Sequence, residues 1–275
     1  MARWQPAERD ARYRKARKAG RPPVVSEGDS WFDYPMYLNI IDRIDDAKRF
    51  AIKRLEFSGD TVARMVGAGA TWDGVNALAV VVEAERPRFV LFSGGGNDIV
   101  GKEFRGALRP YVPGRDAAWH LGTDQWARLR AGGEAAYAKL VTTVGPLAPV
   151  FAHGYDYMVP SDRPAKYDGI AVSGPWVWPE MERAGIPRDG PLRGEIVRAM
   201  IDWFNDVLGR LEREHRGLFA HINLRGTLTP ADWQNEIHPT REGFALLTRE
   251  VLRQLDVKLT PTLAAHDAMT FGGLG

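Results

Sequence analysis

The chain has 275 residues, with 37 Lys and Arg against 35 Asp and Glu and a formal charge of +2, a balance too even to argue for a nucleic-acid partner. It has no cysteine, which excludes disulfides and thiolate metal sites, and the histidines (His120, His153, His215, His221, His238, His266) show no close metal-ligand spacing, so neither a metal nor another cofactor is expected. No run of about 18 apolar residues occurs and residues 1–21 lack the apolar core of an export signal, so the expectation is a cytoplasmic protein with no membrane span.

Residues 1–21 carry eight Lys or Arg against two acids and read as a solvated basic helix or arm ahead of one large domain over 22–275. Behind Pro22-Pro23, the run from Val24 is short and apolar and ends in the small turn Gly28-Asp29-Ser30, which predicts a strand delivering Ser30 to a strand–helix corner. Met36 to Asp46 is spaced for a helix starting near that serine. Phe50 to Phe57 reads as a strand stopping at Ser58-Gly59-Asp60-Thr61, followed by helical spacing of Val62, Met65 and Val66. Trp72 to Glu85 is a further helix, and Arg88 to Ser93 is an apolar strand of the kind buried in a parallel sheet, running into Gly94-Gly95-Gly96-Asn97-Asp98.

Further along, Gly132 to Val144 predicts a helix, Pro149 to His153 a strand, Gly194 to His215 a long amphipathic helix, Leu218 to Leu224 the last strand, and Thr240 to Leu255 a closing helix with Thr240 as N-cap. Five strands alternating with helices argue an α/β class, a three-layer α/β/α arrangement around a mainly parallel five-stranded sheet whose sites gather at the carboxyl ends of the strands. Two insertions, about 104–131 and 156–193, break the alternation. Both are rich in Pro, Gly and aromatics, and loops of that length are read as walls or lid of a substrate cleft.

Ser30, Gly59, Asn97 and His238 all fall at strand ends or just before a helix. A serine hydroxyl becomes a nucleophile only with an adjacent base and a source of oxyanion stabilisation, and the four positions offer both. The glycine-rich stretch before Asn97 lacks the lysine of a P-loop and the spacing of a dinucleotide fingerprint. Asp98 is read as a loop-holding residue, and His153 and Tyr155, after the fourth strand, as groups at the rim of the same site.

With Gly28-Asp29-Ser30-Trp31, Gly59, Gly95-Gly96-Asn97-Asp98 and His238-Pro239-Thr240 in this order, the chain resembles the SGNH hydrolase superfamily, the GDSL-type esterases and lipases, from Val24 to about Leu255. The resemblance implies a flavodoxin-like fold, Ser30 as nucleophile, His238 as general base, and the Ser30 N–H, the Gly59 N–H and the Asn97 amide as oxyanion hole. It departs in one place: where the family has an aspartate three residues before the histidine, this chain has Asn235. An asparagine oxygen accepts the imidazole N–H but brings no charge, which leaves Asn235 as a neutral orienter, Asp232 or Glu236 as a substitute carboxylate, or a Ser–His dyad. The expected function is hydrolysis of a small-molecule or oligomeric ester through an acyl-enzyme, with Trp31, His153 and Tyr155 toward substrate. The alternatives are a carbohydrate O-acetyl esterase on the same machinery and a non-catalytic ligand-binding member of the fold.

Overall fold

The computed structural model describes residues 6–67 and 77–271. In chain order the elements are α1 (Pro6–Lys18), β1 (Pro23–Gly28), α2 (Ile40–Asp46), β2 (Ala51–Arg54), α3 (Val62–Val66), α4 (Ala77–Glu85), β3 (Val90–Ser93), α5 (Gly96–Ile99), α6 (Ala117–His120), α7 (Asp124–Val144), β4 (Val150–His153), β5 (Ala165–Tyr167), β6 (Ile170–Ser173), α8 (Trp178–Arg183), α9 (Leu192–Glu214), β7 (Phe219–Ile222) and α10 (Arg241–Phe271).

The apolar strands β1, β3, β4 and β7 are buried along nearly their whole length, as strands covered on both faces must be. With β2 they form one parallel sheet in the order β2-β1-β3-β4-β7. Counted within that sheet, this is the 2-1-3-4-5 order of flavodoxin-like folds, which change winding direction between β1 and β3. Right-handed crossovers then put α2 on one face and α4, α7 and α9 on the other. Accordingly α2 packs against α10, and α3 and α4 against α7. The α/β/α class and the three-layer, flavodoxin-like arrangement implied by the resemblance are those observed.

Several expectations are corrected. The basic N-terminal helix keeps most of its residues exposed but docks one face along β2: Tyr13 and Ala16 cluster with Ala51, Lys53 pairs with Asp10 at 2.7 Å and Arg12 with Asp45 at 2.7 Å. Arg9, Asp10 and Arg12 thus meet partners on the body, and the helix covers the β2 edge. Helix α2 starts at Ile40, because Asn39 Oδ1 accepts the Asp42 N–H at 3.0 Å while the Asp42 carboxylate reaches back to the Asn39 N–H, leaving Met36 and Leu38 outside it. Thr123 caps α7 through the Trp126 N–H at 3.0 Å, so that helix begins upstream of Gly132-Gly133. Thr240 Oγ1 accepts the Gly243 N–H at 3.0 Å, but α10 continues beyond Leu255 through Pro261. Lys258 pairs there with Glu212, and His266 Nε2 meets the Gly145 carbonyl at 3.2 Å. The insertions hold structure of their own: α6 and the start of α7 in 104–131, and the antiparallel β5–β6 hairpin and α8 in 156–193. The expected helical residues Trp72 to Asn76 lie outside the described residues.

Candidate active site

Strand β1 ends at Gly28, and the chain turns at once: the Phe32 and Asp33 N–H groups donate to the Asp29 carbonyl at 3.0 and 2.9 Å. The Asp29 side chain is the peg of this corner. Its Oδ1 accepts the Trp31 N–H at 3.0 Å and the Ser93 hydroxyl at 2.8 Å, and its Oδ2 takes the Tyr155 hydroxyl. The Tyr155 oxygen also accepts the Gly96 N–H at 3.1 Å. One carboxylate therefore ties together the ends of β1, β3 and β4, and Ser30 stands on the corner it fixes.

His238 arrives on the loop after β7, where Trp233 bridges Pro239 and the Gln234 N–H donates to the His238 carbonyl at 2.9 Å. Its Nε2 lies 2.8 Å from Ser30 Oγ, and its Nδ1 lies 3.1 Å from Asn235 Oδ1. Two backbone N–H groups, of Ile237 at 3.2 Å and His238 at 3.0 Å, donate to the same Asn235 atom. That identifies it as the amide oxygen, so Nδ1 bears the proton and Nε2 is free to accept from the serine. The ring lies against Tyr34 (centroids 4.5 Å) and Trp176 (5.3 Å), and the Trp31 indole N–H holds the loop through the Ile237 carbonyl at 3.1 Å. Burial lowers the His238 pKa to about 3, with no carboxylate to oppose it, so the resting imidazole is neutral.

The two other carboxylates considered for His238 are engaged elsewhere. Asp232 Oδ2 accepts the Thr229 N–H at 2.8 Å and hydroxyl at 2.7 Å, capping the turn Pro230–Asp232. Glu236 is fully buried and accepts the backbone N–H groups of Trp176, of Val177 at 2.8 Å and of Trp178 at 2.8 Å. Burial raises its carboxyl above the ordinary carboxylate value, and those amides offset only part of that rise. Glu236 thus clamps the second insertion onto the histidine loop, a role the sequence reading missed.

Ser30, Gly59 and Asn97, the expected oxyanion donors, line one cavity. Among the described residues the N–H groups of Ser30 and Gly59 donate to no protein acceptor. Gly59 sits at φ +90°, left-handed backbone that glycine adopts without strain. Asn97 spends one amide hydrogen on the Asp60 carbonyl at 2.9 Å and keeps the other. Gly95 at φ +108° lets the chain enter α5, where a Cβ would meet the Phe204 ring at 2.6 Å. Asp98 Oδ2 accepts the Val62 N–H at 3.0 Å, and burial pushes its carboxyl up to about 6, which places it on the α3 start. The Gly59 turn is held from behind: Asp33 Oδ2 accepts the Ser58 N–H at 3.2 Å, and Arg9 of α1 pairs with Asp33 and donates to the Glu56 carbonyl at 3.2 Å.

Two cavities open at Ser30. Gly59, His238, Tyr34 and Trp176 line one, Trp31 and Tyr155 line the other, and Ser30 and Asn97 line both. His153 lines neither; it is buried, stacked on Trp31 at 5.5 Å with Nδ1 on the Gly154 carbonyl at 3.0 Å, and burial lowers its pKa. The first insertion contributes no residue to either cavity, because its aromatics pack elsewhere: Trp126 against Phe104 and Trp203, Trp119 beneath the Arg109 and Arg115 guanidiniums. The second contributes Asp156 and Met158 to one cavity and Ala165, Val172, Ser173 and Trp176 to the other. Among the described residues no group of three His, Asp or Glu is placed to hold a metal ion, and no helix is long and apolar enough to cross a membrane.

Fold and site together define a flavodoxin-like α/β protein with a Ser–His pair and unspent N–H donors at the carboxyl edge of its sheet. Solved structures to which the chain is similar include a protein from Lactobacillus plantarum (17% identity, covering 86% of this chain and 97% of that one, TM-score 0.46). Others are an extracellular lipase from Streptomyces rimosus (15%, 85% and 99%, 0.47) and a member of the lipolytic G-D-S-L family from Veillonella parvula (15%, 84% and 96%, 0.42). No family model matches the chain, and no curated protein matches it.

Proposed function

We propose that the protein is a serine ester hydrolase of the SGNH type. The observation that carries this reading is the relay from Asn235 Oδ1 through the His238 imidazole to Ser30 Oγ, with separations of 3.1 and 2.8 Å, opening on a cavity that Gly59 and Asn97 share. Ser30 Oγ attacks the ester carbonyl carbon while Nε2 takes the hydroxyl proton. The oxyanion is held by the Ser30 and Gly59 N–H groups and the Asn97 amide. On collapse the bond to the leaving oxygen breaks and the proton passes from Nε2 to that oxygen, releasing the alcohol. Water then attacks the acyl-enzyme with His238 as base, and the acid leaves from Ser30.

The test is turnover of para-nitrophenyl acetate, butyrate and octanoate by the wild type and by Ser30→Ala, with labelling of Ser30 by a fluorophosphonate. Turnover and labelling, both abolished by Ser30→Ala, are expected. Folded wild-type protein that neither turns over any of the three nor labels would overturn the proposal.

A further inference from the structure

The two cavities at Ser30 differ in chemistry, and the proton path assigns them to the two halves of an ester. The proton that Nε2 receives must reach the leaving oxygen, so that oxygen has to come within hydrogen-bond reach of His238. His238 lines one cavity only, the one that also contains Tyr34, Trp176 and Gly59. The carbonyl oxygen is directed at Gly59 and Asn97. The third substituent on the tetrahedral carbon, the acyl chain, is then left the side that has neither His238 nor Gly59, which is the second cavity.

That second cavity is walled by Ile99 and Val100 after the Asn97 turn, Met158 from the second insertion, Ile201 and Phe204 of α9, and Trp233 of the histidine loop. Two carboxylates also reach it, and both are spent on the protein. Those of Asp29 are as described above; Asp156 Oδ1 accepts the Tyr157 and Gly226 N–H groups at 2.7 and 2.6 Å, and Oδ2 accepts that of Leu228 at 2.6 Å. The oxygens of both are thus engaged by protein donors, and the rest of the wall is mainly apolar.

Resting on the serine-esterase reading, we propose that this cavity is the acyl site, that the substrates are esters of apolar carboxylic acids, and that Ile201 and Val100 limit the length of the acyl chain. The alcohol occupies the cavity of Tyr34 and Trp176, beside the β5–β6 hairpin. Each acyl methylene buried among these side chains favours turnover by about fourfold in kcat/KM until the walls are met.

The experiment compares wild type, Ile201→Ala, Ile201→Phe and Val100→Phe on para-nitrophenyl esters from acetate to octanoate and on acetates of methyl, butyl and octyl alcohol, with fluorophosphonate labelling as the measure of intact sites. Expected is an octanoate-to-acetate ratio of kcat/KM that falls at least tenfold in either Phe variant and rises about fourfold or more in Ile201→Ala, with the ratios in the alcohol series unmoved. Unmoved acyl ratios in labelled protein, or a shift in the alcohol series instead, would overturn the acyl assignment alone. A folded wild type that neither labels nor turns over any of these esters overturns the esterase reading and this assignment with it.

Discussion

Asn235→Asp tests the distinctive feature of the proposed mechanism, in which His238 would charge during the reaction without a carboxylate behind it. Asn235 Oδ1 stands 3.1 Å from His238 Nδ1 and accepts two backbone N–H groups as well, a set of donors suited to an anion. A carboxylate oxygen there would attract the imidazolium by about 4 kcal/mol at a charge separation of about 4 Å and an effective dielectric of about 20, roughly three pKa units. The His238 pKa, now lowered to about 3 by burial, would return to about 6. In the wild type the neutral imidazole persists far into acid, so kcat/KM for an activated ester should be flat between pH 8 and pH 5. In Asn235→Asp the base becomes protonated as pH falls through about 6, and kcat/KM should drop about tenfold over the same range. At pH 8 the variant should gain in kcat, by up to about a thousandfold if the whole 4 kcal/mol reached the transition state. A folded variant whose acid limb coincides with that of the wild type, or whose activity collapses at pH 8, would refute the reasoning.

Asn97→Ala should lower kcat by about a hundredfold to a thousandfold with little change in KM, the usual cost of losing one oxyanion donor, read by steady-state kinetics normalised to fluorophosphonate-titrated sites. Arg9→Met removes the cation from buried Asp33 and should cost about 3 kcal/mol in urea unfolding; by loosening the Ser58-Gly59 turn it should also lower kcat more than it raises KM. His221 is held at a pKa of about 3 against an ordinary 6.5, mainly by burial. The unfolded chain therefore takes up its proton first, and the stability it contributes is complete above about pH 6.5 and is lost as pH falls toward 3. Between pH 7 and pH 5 the wild type should lose about 2 kcal/mol more than His221→Gln, measured by urea unfolding at both pH values; parallel losses would contradict it.

The apolar strands were legible because burial on both faces leaves an uninterrupted signature such as Val90-Leu91-Phe92. The turns holding Ser30, Gly59 and Asn97 were legible because small residues and hydroxyls break those runs abruptly. Helix ends were less so. Gly132-Gly133 read as a start although Thr123 is the cap, and Pro261 read as beyond an end although contacts with Glu212 and Gly145 carry α10 past it. Aromatic richness led to a cleft assignment for 104–131 that packing among Trp126, Phe104 and Trp203 overrules. His153 was placed at the rim from its position at the end of β4, yet it is buried; side chains alternate across a strand, and the facing layer decides which side is buried.

What the sequence by itself determined was the layered order of strands and helices and the residue types standing at the strand ends, because both are written in local patterns a few residues long. What only the tertiary structure decided was partnership. It gave Asn235 to His238, Asp232 to a turn, Glu236 to the amides of Trp176 to Trp178 and Arg9 to Asp33. Three acceptors within five residues, Asp232, Asn235 and Glu236, are equivalent on paper. Only the path of the loop closed by Trp233 and Pro239 sets which oxygen lies a hydrogen bond away from the imidazole, and hydrogen bonds weaken too steeply with distance and angle for proximity in sequence to stand in for it.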